Sequence, residues 1–187
     1  MTDALSDIPP EPMTVDEFQR WLLTAPGGRY ELSDGYIARM AAERARHGLC
    51  KGAAYRALFA AAAGLPCQVF PDGIAVRVDE ATQREPDVAL RCGDPIPLDA
   101  VNYDDPVIVI EVTSPSTDKA DSTSKLVDSA RFESLAHYLI IDPKKRAVIH
   151  YERSAEGFRA TILPGGTLSL DPPGLTLDLD AILEAGG

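Results

Sequence analysis

Two carboxylates occupy places where an acid is costly unless it has work to do. Glu111 lies inside Val107-Ile108-Val109-Ile110-Glu111-Val112, an apolar run of the kind that forms a central strand covered on both faces. Burying its charge costs several kcal/mol unless a cation or a hydrogen-bonding partner compensates. Asp87 follows Pro86, where a turn gives way to the strand-like Val88-Ala89-Leu90. Two acids at the ends of neighbouring strands are what a hard divalent cation such as Mg²⁺ requires: a few oxygen ligands, with water and phosphate completing the shell. The plainer readings are a salt bridge for Glu111 and a turn-forming role for Asp87.

The elements that must position these acids follow from periodicity and punctuation. Thr14 and Glu17 form a capping box ahead of Val15, Phe18, Trp21 and Leu22, which predicts a short amphipathic helix ending at Pro26-Gly27-Gly28. Residues 30–32 and 36–40 flank Ser33-Asp34-Gly35 and read as a β-hairpin. The Ala-rich stretch 43–63 predicts the longest helix, with Leu49, Ala53, Leu58 and Ala62 on its buried face and Gly64 closing it. Strand-like residues 67–70 and 74–78 around Pro71-Asp72-Gly73 read as a second hairpin. After the run containing Glu111, a helix is expected over 118–132, then a central strand at 138–141 and further strands at 148–151 and 158–163. The Pro172-Pro173-Gly174 break precedes a last short amphipathic stretch, 177–183. Pro9, Pro10 and Pro12 predict a loose arm over residues 1–12, leaving 13–187 as one domain.

Composition narrows the classes. With 187 residues, 45% hydrophobic and 25% charged, the sequence is that of a globular protein, and no apolar run approaches the roughly 20 residues of a membrane span. The acidic, Pro-rich start does not resemble a signal peptide, so a cytoplasmic location is expected. Cys50, Cys67 and Cys92 contain no CxxC pair and are odd in number, which predicts buried small residues and neither a disulfide nor a zinc site. The net charge of −11 argues against bulk electrostatic grip on nucleic acid, though not against a local basic groove or a bound cation. His137 and His150 have no acid or Cys at metal-ligand spacing and read as structural. No GxSxG, HExxH, P-loop or dinucleotide-glycine pattern occurs.

Taken in order, Arg84-Glu85-Pro86-Asp87-Val88, the segment from Val109 to Thr117 (Val-Ile-Glu-Val-Thr-Ser-Pro-Ser-Thr), Lys125, and His137 to Pro143 (His-Tyr-Leu-Ile-Ile-Asp-Pro) resemble one bacterial family. It is the Uma-two family, also called domain of unknown function 820, which belongs with restriction endonucleases of the PD-(D/E)XK superfamily. The resemblance extends over about residues 13–180 and includes Met13 to Phe18, Arg29-Tyr30-Glu31-Leu32, Asp34-Gly35 and His47. It implies an α/β (α+β) restriction-endonuclease-like core, a central mixed sheet flanked by helices with extra hairpins. It also implies that Asp87 and Glu111 are metal ligands for Mg²⁺ or Mn²⁺. The superfamily's lysine, two residues after the second acid, is replaced here by Thr113. By the same resemblance Lys125, fourteen residues after Glu111, takes its place from the next helix, with Lys119 as a second candidate that would contact substrate. A surface role is the plainer reading of either lysine. The family's Tyr one turn after that lysine is Ser129 here. Glu31 would add a carboxylate to the metal, and His47 would touch substrate phosphate; a hairpin residue and a core histidine are the plainer readings.

The function these residues imply is metal-dependent hydrolysis of phosphodiester bonds in DNA or another nucleic acid, by a protein that works as a homodimer where two strands are cut. The competing reading is a non-catalytic module that keeps the nuclease fold to bind nucleic acid or a protein partner, and the net charge and the displaced lysine favour it.

Overall fold

The computed structural model describes residues 8–113 and 119–186. Helix α1 (Val15–Leu22) starts at the expected capping box: the Thr14 hydroxyl accepts from the Glu17 amide at 3.3 Å, and the Glu17 carboxylate accepts from the Thr14 amide at 2.8 Å. Strands β1 (Tyr30–Ser33) and β2 (Tyr36–Arg39) form the first hairpin, with Asp34 and Gly35 both at positive φ in its turn. Helix α2 (Ala45–Ala61) follows, then β3 (Cys67–Pro71), β4 (Ala75–Arg77), β5 (Gln83–Arg84), β6 (Val88–Cys92), β7 (Asn102–Tyr103) and β8 (Ile108–Val112). The chain ends with α3 (Lys119–Ser129), β9 (His137–Asp142), β10 (Ala147–Ser154), β11 (Gly157–Leu163), β12 (Thr167–Leu170), β13 (Leu175–Asp178) and α4 (Leu179–Ala185).

The main sheet has six strands in the order β11-β10-β9-β8-β6-β3. Only β8 and β9 run parallel, and α3 lies in the connection between them, as a parallel pair requires. The central apolar runs predicted from sequence are these two strands. Ile108, Ile110 and Val112 point to one side, where Ala54 and Leu58 of α2 and Ile182 and Leu183 of α4 complete a core; Val109 and Tyr138 face the other side with Leu135 and Phe132. A second sheet, β2-β1-β5-β4-β7, carries α1 through Phe18, Leu32 and Tyr30, and β12 and β13 form a separate hairpin.

The structure corrects several expectations. Strands β3 and β4 are not a hairpin: β3 pairs with β6 in the main sheet, and β4 pairs with β5 and β7 in the second. Their shared turn is a crossing between sheets, which period-two patterning cannot reveal. On α2 the buried face is His47, Cys50, Ala53, Ala54 and Leu58, whereas Leu49 is exposed, so the helix turns mostly small residues inward. Cys67 and Cys92 are directly paired across β3 and β6 and form a disulfide, against the expectation of three separate thiols. Cys50 alone stays free and buried, its thiol pushed up to about 11 by burial and then by the nearby charge of Asp87. Part of the expected N-terminal arm is packed, since Ile8 joins the α1 core; its first seven residues, like residues 114–118, lie outside the described residues.

Candidate active site

Asp87 stands just before β6, and Glu111 is the fourth residue of β8. Val88 pairs with Ile110, so the antiparallel register carried one step further sets Asp87 against Glu111. Asp87 is buried, and its Oδ2 accepts the Val112 amide at 2.7 Å. That bond crosses from β6 to β8 and fixes the carboxylate at the junction of the two strands. Among the described residues nothing donates to Oδ1, which leaves that oxygen available to a ligand.

Lys125 projects from α3 to the same place: Nζ is 3.2 Å from Glu31 Oε1 and 3.9 Å from Glu111 Oε2. The structure therefore brings Glu31, Glu111 and Lys125 together from β1, β8 and α3. Glu31 is one of the most buried acids, and it is anchored at Oε1 by the Glu85 amide at 2.9 Å. The side chain of Lys119, the second lysine candidate, lies outside the described residues.

His47, on the first turn of α2, does not stand alone as a phosphate contact. Its Nε2 is 3.2 Å from Asp87 Oδ2, and its Nδ1 is 3.4 Å from Glu43 Oε2, outside hydrogen-bond geometry. The hydrogen bond to Asp87 pushes the imidazole up from its ordinary value, against the effect of burial. Glu43 is clasped by cations: Lys51 Nζ lies 2.6 Å and 2.7 Å from its two oxygens and Arg29 Nη1 2.7 Å from Oε1. Burial works to raise the Glu43 carboxyl, but hydrogen bonds from Lys51 and Arg29 outweigh it and bring the group down to about 2. The same cations reach Asp72, and Arg29 also reaches Glu85 at 2.6 Å. Sequence reasoning missed Glu43, although its spacing of four residues before His47 on one helical face was a usable signal.

A second missed residue is Arg84, quoted only as part of a motif. Its guanidinium is buried and donates to Asp128 Oδ2 at 2.8 Å, to Ser33 Oγ at 2.9 Å and to Ser124 Oγ at 3.1 Å. It also lies 3.5 Å from Glu31 Oε2. Ser124 and Asp128 flank Lys125 on α3, so this clamp ties the helix that carries the lysine to the second sheet. His137 and His150 are elsewhere, bonded to each other at 3.0 Å on β9 and β10, as their structural reading implied.

Among the described residues, Glu43, His47 and Asp87 each offer a potential ligand atom, and these atoms lie within 4.8 Å of one another, close enough to share a cation. Lys125 can hold or orient a group with developing negative charge.

Comparison with known proteins agrees with this fold. The model of the family Uma2, described as "Putative restriction endonuclease", matches residues 15–181. A crystal structure described as that of a "putative nuclease belonging to DUF820", from Anabaena variabilis, superposes with a TM-score of 0.76 at 15% identity, covering 94% of this chain and 100% of that one. The fold is therefore that of the nuclease-like neighbour. No curated protein matches.

Proposed function

The chain belongs to the Uma2 family of restriction-endonuclease-like proteins, and from that premise we propose that it is a Mg²⁺- or Mn²⁺-dependent endonuclease that hydrolyses phosphodiester bonds of DNA at Asp87, Glu111 and Lys125. The observation that carries the reading is the position of Lys125, whose Nζ reaches Glu111 and Glu31 from α3 although the usual lysine position is Thr113. A lysine displaced by twelve residues has no sequence-local reason to return to that carboxylate. Its convergence argues for a retained active site over a degenerate fold.

Asp87 and Glu111 would hold the cation, with Glu31 contributing directly or through water, and the cation would polarise the scissile phosphate and lower the pKa of an attacking water. The Val112 amide fixes Asp87 Oδ2, and His47 Nε2 lies 3.2 Å from the same oxygen. Lys125 orients the attacking water and offsets the negative charge that develops on the phosphoryl oxygens. Its contact with Glu31 restrains the ammonium in the absence of substrate. The Arg84 clamp keeps α3 at the distance from which Lys125 reaches both acids.

The reading is tested by incubating the protein with plasmid, single-stranded DNA and RNA in Mg²⁺ or Mn²⁺. Asp87→Ala and Glu111→Ala are expected to abolish cleavage with unchanged circular dichroism. Cleavage that survives both substitutions at the wild-type rate would overturn the assignment. A folded wild type with no cleavage of any substrate would favour the non-catalytic module.

A further inference from the structure

We propose that His47 is itself a ligand of the cation, through Nε2 beside Asp87, and that Glu43 orients its ring through Nδ1, so that the site has mixed nitrogen and oxygen donors and prefers Mn²⁺ to Mg²⁺. This rests on the proposed cation at Asp87. Three observations carry it. His47 Nε2 and Asp87 Oδ2 are 3.2 Å apart. Neighbouring ligands of one ion with bonds of about 2.1–2.2 Å stand roughly 3 Å from each other, so the pair already has the spacing of a shared coordination edge. Both atoms are also held on rigid supports, His47 by the first turn of a 17-residue helix and Asp87 by the amide of a central strand.

The second observation is Nδ1. It is buried and without a hydrogen-bond partner, yet it faces Glu43 Oε2 at 3.4 Å. A buried ring nitrogen left unpaired is costly. When Nε2 binds a cation, the ring's remaining proton must sit on Nδ1, and a small rotation gives that proton to Glu43. This is the carboxylate–histidine–metal arrangement that fixes ring orientation in metal sites.

The third observation separates the roles of the two acids. Both oxygens of Glu43 are engaged by Lys51, and Oε1 also by Arg29, so Glu43 cannot enter the coordination shell without giving up those pairs. Among the described residues no lysine or arginine pairs with Asp87, and nothing donates to its Oδ1. Glu43 is therefore a positioning residue, and Asp87 and His47 are the ligands. An imidazole donor favours a first-row transition ion, even Mn²⁺ as the weakest-binding of them, over Mg²⁺, which favours oxygen alone.

The test is electron spin-echo spectroscopy of the full chain loaded with Mn²⁺, prepared with natural-abundance and with ¹⁵N-labelled histidine. The chain has only three histidines, so the signal is assignable by single substitutions. The expected result is a nitrogen coupling that changes with the label and is lost in His47→Gln, whose Mn²⁺ affinity falls at least about tenfold while Mg²⁺ affinity changes little. Glu43→Gln should weaken Mn²⁺ by about 10-fold and alter the coupling without removing it. Mn²⁺ bound to the wild type with no histidine coupling, or a coupling that persists in His47→Gln, overturns this proposal and leaves the nuclease reading intact. A wild type that binds no Mn²⁺ at all overturns the cation at Asp87 and this ligand with it.

Discussion

Replacing Arg84 with Met should destabilise the protein more than any surface charge change, and should do so through Asp128. The Arg84 side chain is 7% exposed and that of Asp128 13%, so neither charge is well solvated once its partner is gone. Met keeps most of the buried apolar stem and deletes the guanidinium, leaving Asp128 without its Nε contact and Ser33 and Ser124 without their donor. Removing one member of a buried pair costs about 3–5 kcal/mol. For a domain of this size each kcal/mol lowers Tm by about 2–4 °C, so a fall of roughly 6–20 °C is expected. Removing both charges in Arg84→Met/Asp128→Leu should recover much of the loss, because an apolar pair leaves no stranded charge. The assay is urea unfolding of the wild type, both single variants and the double variant, with the coupling energy taken from the cycle. A loss below about 1 kcal/mol in Arg84→Met, or strict additivity of the two changes, would refute the clamp.

Acid should weaken the fold through His137 and His150. Burial lowers both, and the neighbouring charge of His137 lowers His150 further. Because their folded values lie below the unfolded value of about 6.5, the unfolded state binds more protons as pH falls. Stability from this pair is thus complete above about pH 6.5 and is lost on acidification through the lowered folded values. His47 has the opposite sign, since its raised value makes its contribution fade as pH rises. Urea unfolding between pH 5 and 7.5 should show a smaller acid loss in His150→Gln than in the wild type, and equal slopes would contradict the reading. Binding to nonspecific DNA in Ca²⁺ should depend weakly on salt, since the net charge is −11 and Arg39, Arg44 and Arg46 are exposed cations at the approach to α2. Three phosphate contacts give a slope of log K on log salt of about −3, and a slope steeper than about −6 would reveal a larger basic groove.

Much of the frame was legible because it is written in local terms. The capping box, the first hairpin and the two central apolar strands depend on neighbours in sequence, and each appears where its pattern puts it. What escaped was what only pairing decides. The residues around Pro71-Asp72-Gly73 look like a hairpin, but β3 and β4 belong to different sheets, and β12 has no sequence signal apart from its partner β13. The bridge between Cys67 and Cys92 follows from the register of β3 on β6, which spacing along the chain does not express. At the site, the acids stood out because a carboxylate in an apolar strand demands an explanation. Arg84 and Glu43 did not, since a charged residue in a polar stretch is ordinary until the fold buries it.

The central claim is that Asp87 and Glu111 hold a divalent cation beside Lys125, and calorimetric titration of Mn²⁺ into the wild type and Glu111→Gln tests it without knowledge of the substrate. Saturable binding to the wild type, absent or at least about tenfold weaker in a folded Glu111→Gln, is the predicted result. Equal binding to both proteins would contradict the claim, because it would place the cation away from Glu111.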